Sequence, residues 1–267
     1  MSRISEFRGR LKEARPGSFK DVKGRVQDNV VWRSMFRPGS IYRKGYRDTS
    51  RDRALAAMNN VLYHLHPVKV KRHGLKLTYT YCLGGLSFFL FVALTITGIF
   101  LMFFYRPTAG ADTELAYLDM QNLIAQVTFG QLVRNLHRWG AHLMVFTVFL
   151  HMARVFYHGA YKPPREFNWV VGIFLLQLTL LLSFTGYLLP WDQLAIWAVQ
   201  VGTSMMGYTP VFGRQVQFVL LGGVEIGPNT LLRWYVLHVL ALPFVTVIFL
   251  AVHFWRIRKD GGISGPL

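Results

Sequence analysis

Four long apolar segments interrupt an otherwise polar and basic chain of 267 residues. They cover residues 79–104, 133–157, 169–189 and 231–257. Each is about as long as the roughly 20-residue helix that crosses a bilayer. Hydrophobic residues make up 52% of the chain, which indicates a membrane protein rather than a soluble domain. The pattern therefore predicts an all-α membrane protein in which residues 77–267 form one four-helix domain.

The positive charge of the chain is distributed unevenly around these segments. Residues 1–76 hold 19 of the 30 Lys and Arg, and the loop after the second segment and the C-terminal tail are basic as well. By the positive-inside rule, both termini and that loop face the negative, cytoplasm-like side of the membrane, here called the negative side. The other two connections face the opposite, positive side. We therefore expect a multi-pass integral membrane protein.

Two regions outside the apolar segments are predicted to lie on the membrane surface. Residues 1–50 lack sustained helical periodicity and form an extended basic arm. Nucleic-acid binding is one interpretation of this arm, but its position favours anionic lipid or a partner subunit. Residues 51–76 combine an amphipathic surface helix with a linker. The connection over residues 190–230 has apolar stretches too short to cross a bilayer, which predicts short surface helices.

The second and fourth apolar segments each carry two histidines at nearly equal spacing. His137 and His151 are 14 residues apart, and His238 and His253 are 15 apart. In a helix these intervals advance about 21 Å and leave both histidines on broadly one side. Because the two segments run in the same direction, His137 pairs with His238 near the positive side. His151 pairs with His253 near the negative side.

Paired histidines on facing helices suit haem binding. A neutral imidazole is an axial ligand of haem iron, and two helices supply both ligands. The quartet therefore predicts two b-type haems that transfer electrons. Hydrogen-bonded core histidines are the alternative. The neighbouring segments carry glycines at the same 14-residue interval, Gly84 and Gly98 in the first and Gly172 and Gly186 in the third. We predict that they make room for the haem edges; ordinary helix packing is the alternative.

Short motifs between Tyr81 and Leu267 resemble one known family. They are YCLGG, FYRPT, HRW, KPPRE, TGYLLPWDQ and IRKDGGISGPL. Together they closely resemble cytochrome b6, the four-helix cytochrome b of b6f and bacterial b6c-type complexes. The 15-residue histidine interval and the ending GISGPL are also similar to that branch. In that family the last helices of cytochrome b belong to a separate subunit.

The resemblance implies a diheme cytochrome b bundle in a Rieske/cytochrome b complex. Such a complex oxidises quinol on the positive side and reduces quinone on the negative side, coupled to proton translocation, and the subunit is not active alone. The resemblance assigns the low-potential haem to His137 and His238 and the high-potential haem to His151 and His253. It also implies that Cys82 holds one covalently bound haem c. A small buried hydrophobe is the alternative reading of this lone cysteine.

The resemblance gives less specific roles to several other residues. Pro190 and Trp191 are expected near the quinol-oxidation site, and Arg258 near the quinone-reduction site. Three further arginines are candidates for pairing with haem propionates, although arginines at bilayer edges also snorkel without a function: Arg134, Arg138 and Arg154.

The family resemblance also implies partners. These are a separate C-terminal cytochrome b subunit like subunit IV, a Rieske iron–sulfur protein, and a c-type cytochrome or plastocyanin, in a dimeric complex surrounded by membrane lipid. No nucleic acid is expected. The N-terminal arm exceeds the family pattern, which favours a bacterial plasma membrane, in a respiratory or photosynthetic chain. Two other classes are open: a diheme membrane anchor of another respiratory dehydrogenase or reductase, and a transporter or structural bundle without cofactor.

Overall fold

The computed structural model describes residues 19–36, 49–50, 72–109 and 115–263. Within these ranges the regular elements are helices and there is no strand, so the all-α prediction is confirmed. Most of the predicted surface helix and linker over residues 51–76 lies outside the described residues, as do the ends of the predicted basic arm.

The described helices follow one another in a simple order. They are α1 (Phe19–Asp28), α2 (Val30–Phe36), α3 (Leu77–Thr80), α4 (Leu83–Met102), α5 (Leu115–Ala125), α6 (Gly130–Tyr157), α7 (Glu166–Leu188), α8 (Gln193–Gly207), α9 (Gly213–Leu221), α10 (Pro228–Val236) and α11 (Leu242–Lys259). A short 3-10 helix spans Arg72–Leu75, and the π-helical segment Leu237–Ala241 joins α10 to α11.

Four helical spans are long and apolar enough to cross a membrane. They are α4, α6, α7 and the continuous span from α10 to α11, Pro228–Lys259. The four predicted segments are thus confirmed, with shifted ends. The first begins only at Leu83 because Tyr81 and Cys82 have left-handed backbone conformations, with φ of 49° and 51°, which cannot continue a right-handed helix.

The bundle packs its helices in neighbouring pairs. Helix α4 lies on α6, α7 lies on α11, and α6 also contacts α7. The centre of the bundle contains the apolar cluster of Leu90, Phe91 and Met144. Many large apolar side chains point outward, and Phe89 is 64% exposed. An apolar surface of this extent suits a bundle whose outer faces meet lipid.

The π-helical segment gives a physical reason for the unequal histidine intervals. It contains His238 and lies between the start of the fourth span and His253. A π-turn accommodates one residue more than an α-turn. The 15-residue interval on this span therefore covers nearly the same depth and direction as the 14-residue interval on α6.

The connection between α7 and α10 folds as two short helices, α8 and α9, as predicted. Asp192 begins α8 by accepting a hydrogen bond from the Ala195 amide at 2.8 Å, an N-cap that stabilises the helix start. Four side chains from α7 to α10 then form one buried cluster that holds this connection on the bundle: Leu188, Val199, Leu221 and Trp234.

The expectation of an extended N-terminal arm is wrong for residues 19–36, which form α1 and α2. Asn29 starts α2 because its side chain accepts a hydrogen bond from the Val31 amide at 2.8 Å. A helix of seven residues is too short to be stable alone. Contacts with α7 supply the missing stabilisation, and they are tertiary contacts that periodicity does not report.

Candidate functional site

The four histidines form two pairs across the bundle. The ring centroids of His137 and His238 are 6.3 Å apart, with the ring planes at 76°. The centroids of His151 and His253 are 6.4 Å apart, with the planes at 79°. The structure therefore brings together the same two pairs, at the two ends of the bundle, that helical geometry and chain direction predict. The two ends keep the names positive side and negative side from the predicted orientation.

The spacing of each pair fits one metal atom held between two imidazoles. A coordinating histidine nitrogen lies about 2 Å from its metal, so two opposed rings have centroids about 6 Å apart once the ring radius of about 1 Å is added on each side. Among the described residues no group of three or more His, Cys, Asp or Glu could hold a metal ion. Each pair therefore supplies two ligands only, which fits an iron whose other ligands come from a porphyrin.

Threonine hydroxyls orient the positive-side pair. Thr97 Oγ1 lies 2.9 Å from His137 Nδ1 and donates to the Ala93 carbonyl at 2.8 Å. A hydroxyl has one hydrogen, so the Thr97 oxygen accepts from Nδ1–H of His137. Thr185 makes the same contact with His238 Nδ1 at 3.0 Å. Both rings then keep a free Nε2 lone pair, the form that binds a metal.

The negative-side pair has different surroundings. The Nδ1 atoms of His151 and His253 are buried, and neither has a hydrogen-bond partner within the described ranges. Both rings line a cavity with Arg154 and Asn168. Within the described ranges, these two nitrogens therefore lack the hydroxyl partner that Thr97 and Thr185 supply to the other pair.

The four predicted glycines lie against the histidine rings. A Cβ at Gly186 would lie 2.6 Å from His238 Cε1, and one at Gly84 would lie 3.1 Å from His151 Cε1. The corresponding distances are 3.2 Å from Gly98 to His137 and 4.0 Å from Gly172 to His253. The predicted purpose was room for a haem edge. In the structure the neighbour of each glycine is an imidazole. At Gly84, Gly98 and Gly186 the missing side chain lets the ring take its position, whereas Gly172 has room for a Cβ.

Cys82 is exposed at the negative-side start of α4, two residues before Gly84. Arg154 and Arg258 also belong to this side. Arg154 lines the cavity and its Cζ lies 5.9 Å from the centroid of the Tyr79 ring, while Arg258 is buried at the end of α11.

The positive-side candidates lie around the end of α7. Arg134 and Arg138 occupy the first turns of α6, with Arg138 exposed and Arg134 partly buried. Trp191 follows Pro190 with a left-handed φ of 53°, a strained conformation for a non-glycine residue. Tyr105 donates a hydrogen bond at 2.6 Å to the carbonyl of Leu189, directly before this turn.

Sequence reasoning did not identify the two threonines of the site. A signal for them exists, because each directly precedes a site glycine: the dipeptide Thr-Gly occurs at residues 97–98 and again at 185–186. Arg165 and Asn168, which line the negative-side cavity, were also missed. They lie at the start of α7, where only the fold brings them near the histidines.

Known proteins resemble this chain over most of its length. The profile of the family described as Cytochrome b/b6/petB matches residues 68–261. Cytochrome b6 of Heliomicrobium gestii is 47% identical over 187 residues, which cover 70% of this chain and 85% of the relative. Cytochrome b6 of Tupiella akineta is 44% identical over the same shares of both chains.

A solved structure supports the same fold. The chain of a structure titled "Hyperthermophilic respiratory Complex III" superposes with a TM-score of 0.64 at 28% identity. The match covers 82% of this chain and 55% of that chain. The present chain thus spans about half the length of this structural relative.

Proposed function

The chain belongs to the cytochrome b/b6 family, and from this premise we propose that it is the haem-carrying cytochrome b subunit of a quinol-oxidising Rieske/cytochrome b complex. It is an integral membrane protein with four membrane-spanning helices. The observation that carries the proposal is that four histidines form two opposed pairs. The imidazole centroids lie 6.3 Å apart in one pair and 6.4 Å apart in the other. His137 and His238 hold the low-potential haem b, and His151 and His253 hold the high-potential one.

The bound b haems would supply two one-electron redox centres near opposite faces of the membrane. The protein residues determine where those centres are and what reaches them. Two histidine ligands leave no open position on an iron, which favours electron transfer over binding of a small substrate. Thr97 and Thr185 hold the positive-side rings in the ligating tautomer. The apolar helices exclude water between the two sites.

The reaction couples two quinone sites on opposite sides of the membrane. Quinol is oxidised on the positive side, near Pro190 and Trp191, and releases two electrons and two protons there. One electron passes to the Rieske protein, and the other crosses the membrane to the quinone near Arg258 on the negative side. Two such oxidations, with two protons taken up from the negative side, reduce one quinone to quinol. Electron transfer inward and proton release outward both build the membrane potential.

The further assignments follow from the family and from the chemistry of the residues. Cys82, exposed beside the negative-side pair, forms a thioether to a third, c-type haem. Arg134, Arg138 and Arg154 pair with propionates. The complex is a dimer that contains a separate C-terminal cytochrome b subunit, a Rieske protein and a c-type cytochrome. It lies in a bacterial plasma membrane with the termini of this chain on the cytoplasmic side.

Replacement of single histidines tests the function. Redox-difference spectra of membranes with His137→Ala or His238→Ala should lack the positive-side haem and retain the other. Replacing His151 or His253 should give the reverse. His142→Ala is the matched control, because His142 lies on α6 outside both pairs, beside Trp139. The pairing is wrong if His137→Ala and His253→Ala remove the same haem.

A further inference from the structure

The short helix α2 has one buried residue, Ser34. Ser34 is 6% exposed, whereas Val30 on the same helix is 54% exposed. The Ser34 hydroxyl donates a hydrogen bond at 2.9 Å to the carbonyl of Pro164, in the loop between α6 and α7. A hydroxyl that donates to a buried carbonyl keeps its oxygen free to accept, and here it accepts from an arginine.

That arginine is Arg256, near the end of α11. It donates to the backbone carbonyl of Ser34 at 3.0 Å and to its hydroxyl oxygen at 3.1 Å. The Arg256 side chain is 1% exposed and forms an ion pair at 3.3 Å with Asp260, whose side chain is fully buried. A buried ion pair is stable only when its polar atoms are also hydrogen-bonded. Ser34 supplies two acceptors to Nη2 of Arg256, the same nitrogen that lies nearest the Asp260 carboxylate.

The network reaches the loop between α6 and α7 a second time. Arg165 donates to the carbonyl of Asp260 at 3.1 Å, and the same side chain lines the cavity that contains His151 and His253. Arg256 itself follows His253 by three residues, less than one helical turn. Hydrogen bonds therefore join three segments beside the negative-side histidine pair: α2, the loop between α6 and α7, and the end of α11.

Ser34 lies outside the part of the chain that the family profile matches, whereas Arg256 lies inside it. The family profile begins at residue 68, so α2 belongs to the long N-terminal segment of this chain. We propose that α2 is a latch on the negative-side end of the bundle. In this role Ser34 is a positioning residue that, through Arg256, holds the end of α11 and the ring of His253 in place opposite His151. The effect on the haem that this proposal predicts rests on the proposed function. The effect on backbone hydrogen exchange does not.

Hydrogen–deuterium exchange on the purified full-length complex tests the backbone part. Ser34→Ala should raise the exchange rates of amides in residues 30–36 and 250–263 by about tenfold, as expected when hydrogen bonds to a charged group are lost. Ser34→Thr keeps the hydroxyl and should restore the protection. Arg33→Ala is the matched control on the same helix. Its ion pair with Asp28 is exposed, so protection should not change.

Redox titration and electron paramagnetic resonance of the same variants test the positioning role. Ser34→Ala should shift the midpoint potential and the spectrum of the negative-side haem and leave the positive-side haem unchanged. Deletion of residues 1–36 should produce the larger shift, with the content of both haems retained. A merely structural role would lower stability without this selective shift.

Two results would overturn the proposal that α2 is a latch. One is a deletion variant in which exchange of residues 250–263 and both haem signals match the unmodified protein. The other is faster exchange of residues 30–36 while the negative-side haem signal is unchanged in every variant. If the unmodified protein binds no haem, the proposed function fails instead, and exchange of residues 250–263 after deletion still decides whether α2 holds the end of α11.

Discussion

Gly186 lies directly behind His238, so closely that a Cβ on Gly186 would come within 2.6 Å of the His238 Cε1 atom. No side chain can be added there without moving the ring. Gly186→Ala should therefore displace His238 and reduce the positive-side haem, at a cost of about 1–3 kcal/mol from overpacking. Haem content per chain and the redox-difference spectrum measure this effect.

Gly172 provides the matched control for this substitution. A Cβ on Gly172 would lie 4.0 Å from His253 Cε1, an ordinary van der Waals contact. Gly172→Ala should therefore leave both haems in place. Gly84→Ala and Gly98→Ala, with contacts of 3.1 Å and 3.2 Å, should fall between these extremes. Equal damage from Gly172→Ala and Gly186→Ala would contradict the view that the glycines make room for the rings.

The two threonines of the positive-side pair give a second prediction. Thr97→Val and Thr185→Val keep the side-chain shape and remove the acceptor of the histidine Nδ1–H. Loss of such a contact typically lowers metal-site affinity by about 10- to 100-fold. The positive-side haem should bind more weakly and shift in potential, whereas the negative-side haem should not change.

Thr95→Val serves as the control for this test. Thr95 lies on the same helix, and its hydroxyl bonds to the Phe91 carbonyl at 2.8 Å rather than to a histidine. If Thr95→Val and Thr97→Val alter the haem spectra equally, the threonine does not act through His137.

The histidine pairs could be predicted from the sequence because helical geometry converts residue intervals into depth and direction. The intervals of 14 and 15 residues locate His137, His151, His238 and His253, and the chain direction pairs them. The π-helical segment that reconciles the two intervals was not predicted, because it depends on local backbone hydrogen bonding. The contact between Ser34 and Arg256 joins residues 222 positions apart, and no periodicity reports such a contact.

Cys82 gives a third prediction. The thiol is exposed at the start of α4, on the side of the bundle that holds His151 and His253. A thioether survives denaturation, whereas a haem held only by histidines is released when unfolding separates them. Denaturing electrophoresis with haem-peroxidase staining should show haem on this 30.7 kDa chain. Cys82→Ser should remove the stain and keep both b haems in the native spectrum. An unstained unmodified chain would rule out the covalent haem.

The last prediction concerns the segment between α4 and α5, which an ion pair stabilises on the positive side. Arg106 donates to the Asp119 carboxylate from its backbone amide at 2.9 Å and from its guanidinium at 3.0 Å and 2.6 Å. These bonds hold the pKa of Asp119 below its ordinary value of about 4. A carboxyl whose pKa is lower in the folded state stabilises the fold at pH values above its unfolded pKa, and this stabilisation is lost as the pH falls through the folded pKa.

Hydrogen exchange of residues 105–109 and 115–119 should therefore accelerate as the pH falls below about 4, after correction for intrinsic rates. Asp119→Asn should exchange faster at neutral pH and lose this pH dependence; an Asn variant with the same pH dependence as the unmodified protein would assign the effect to another group.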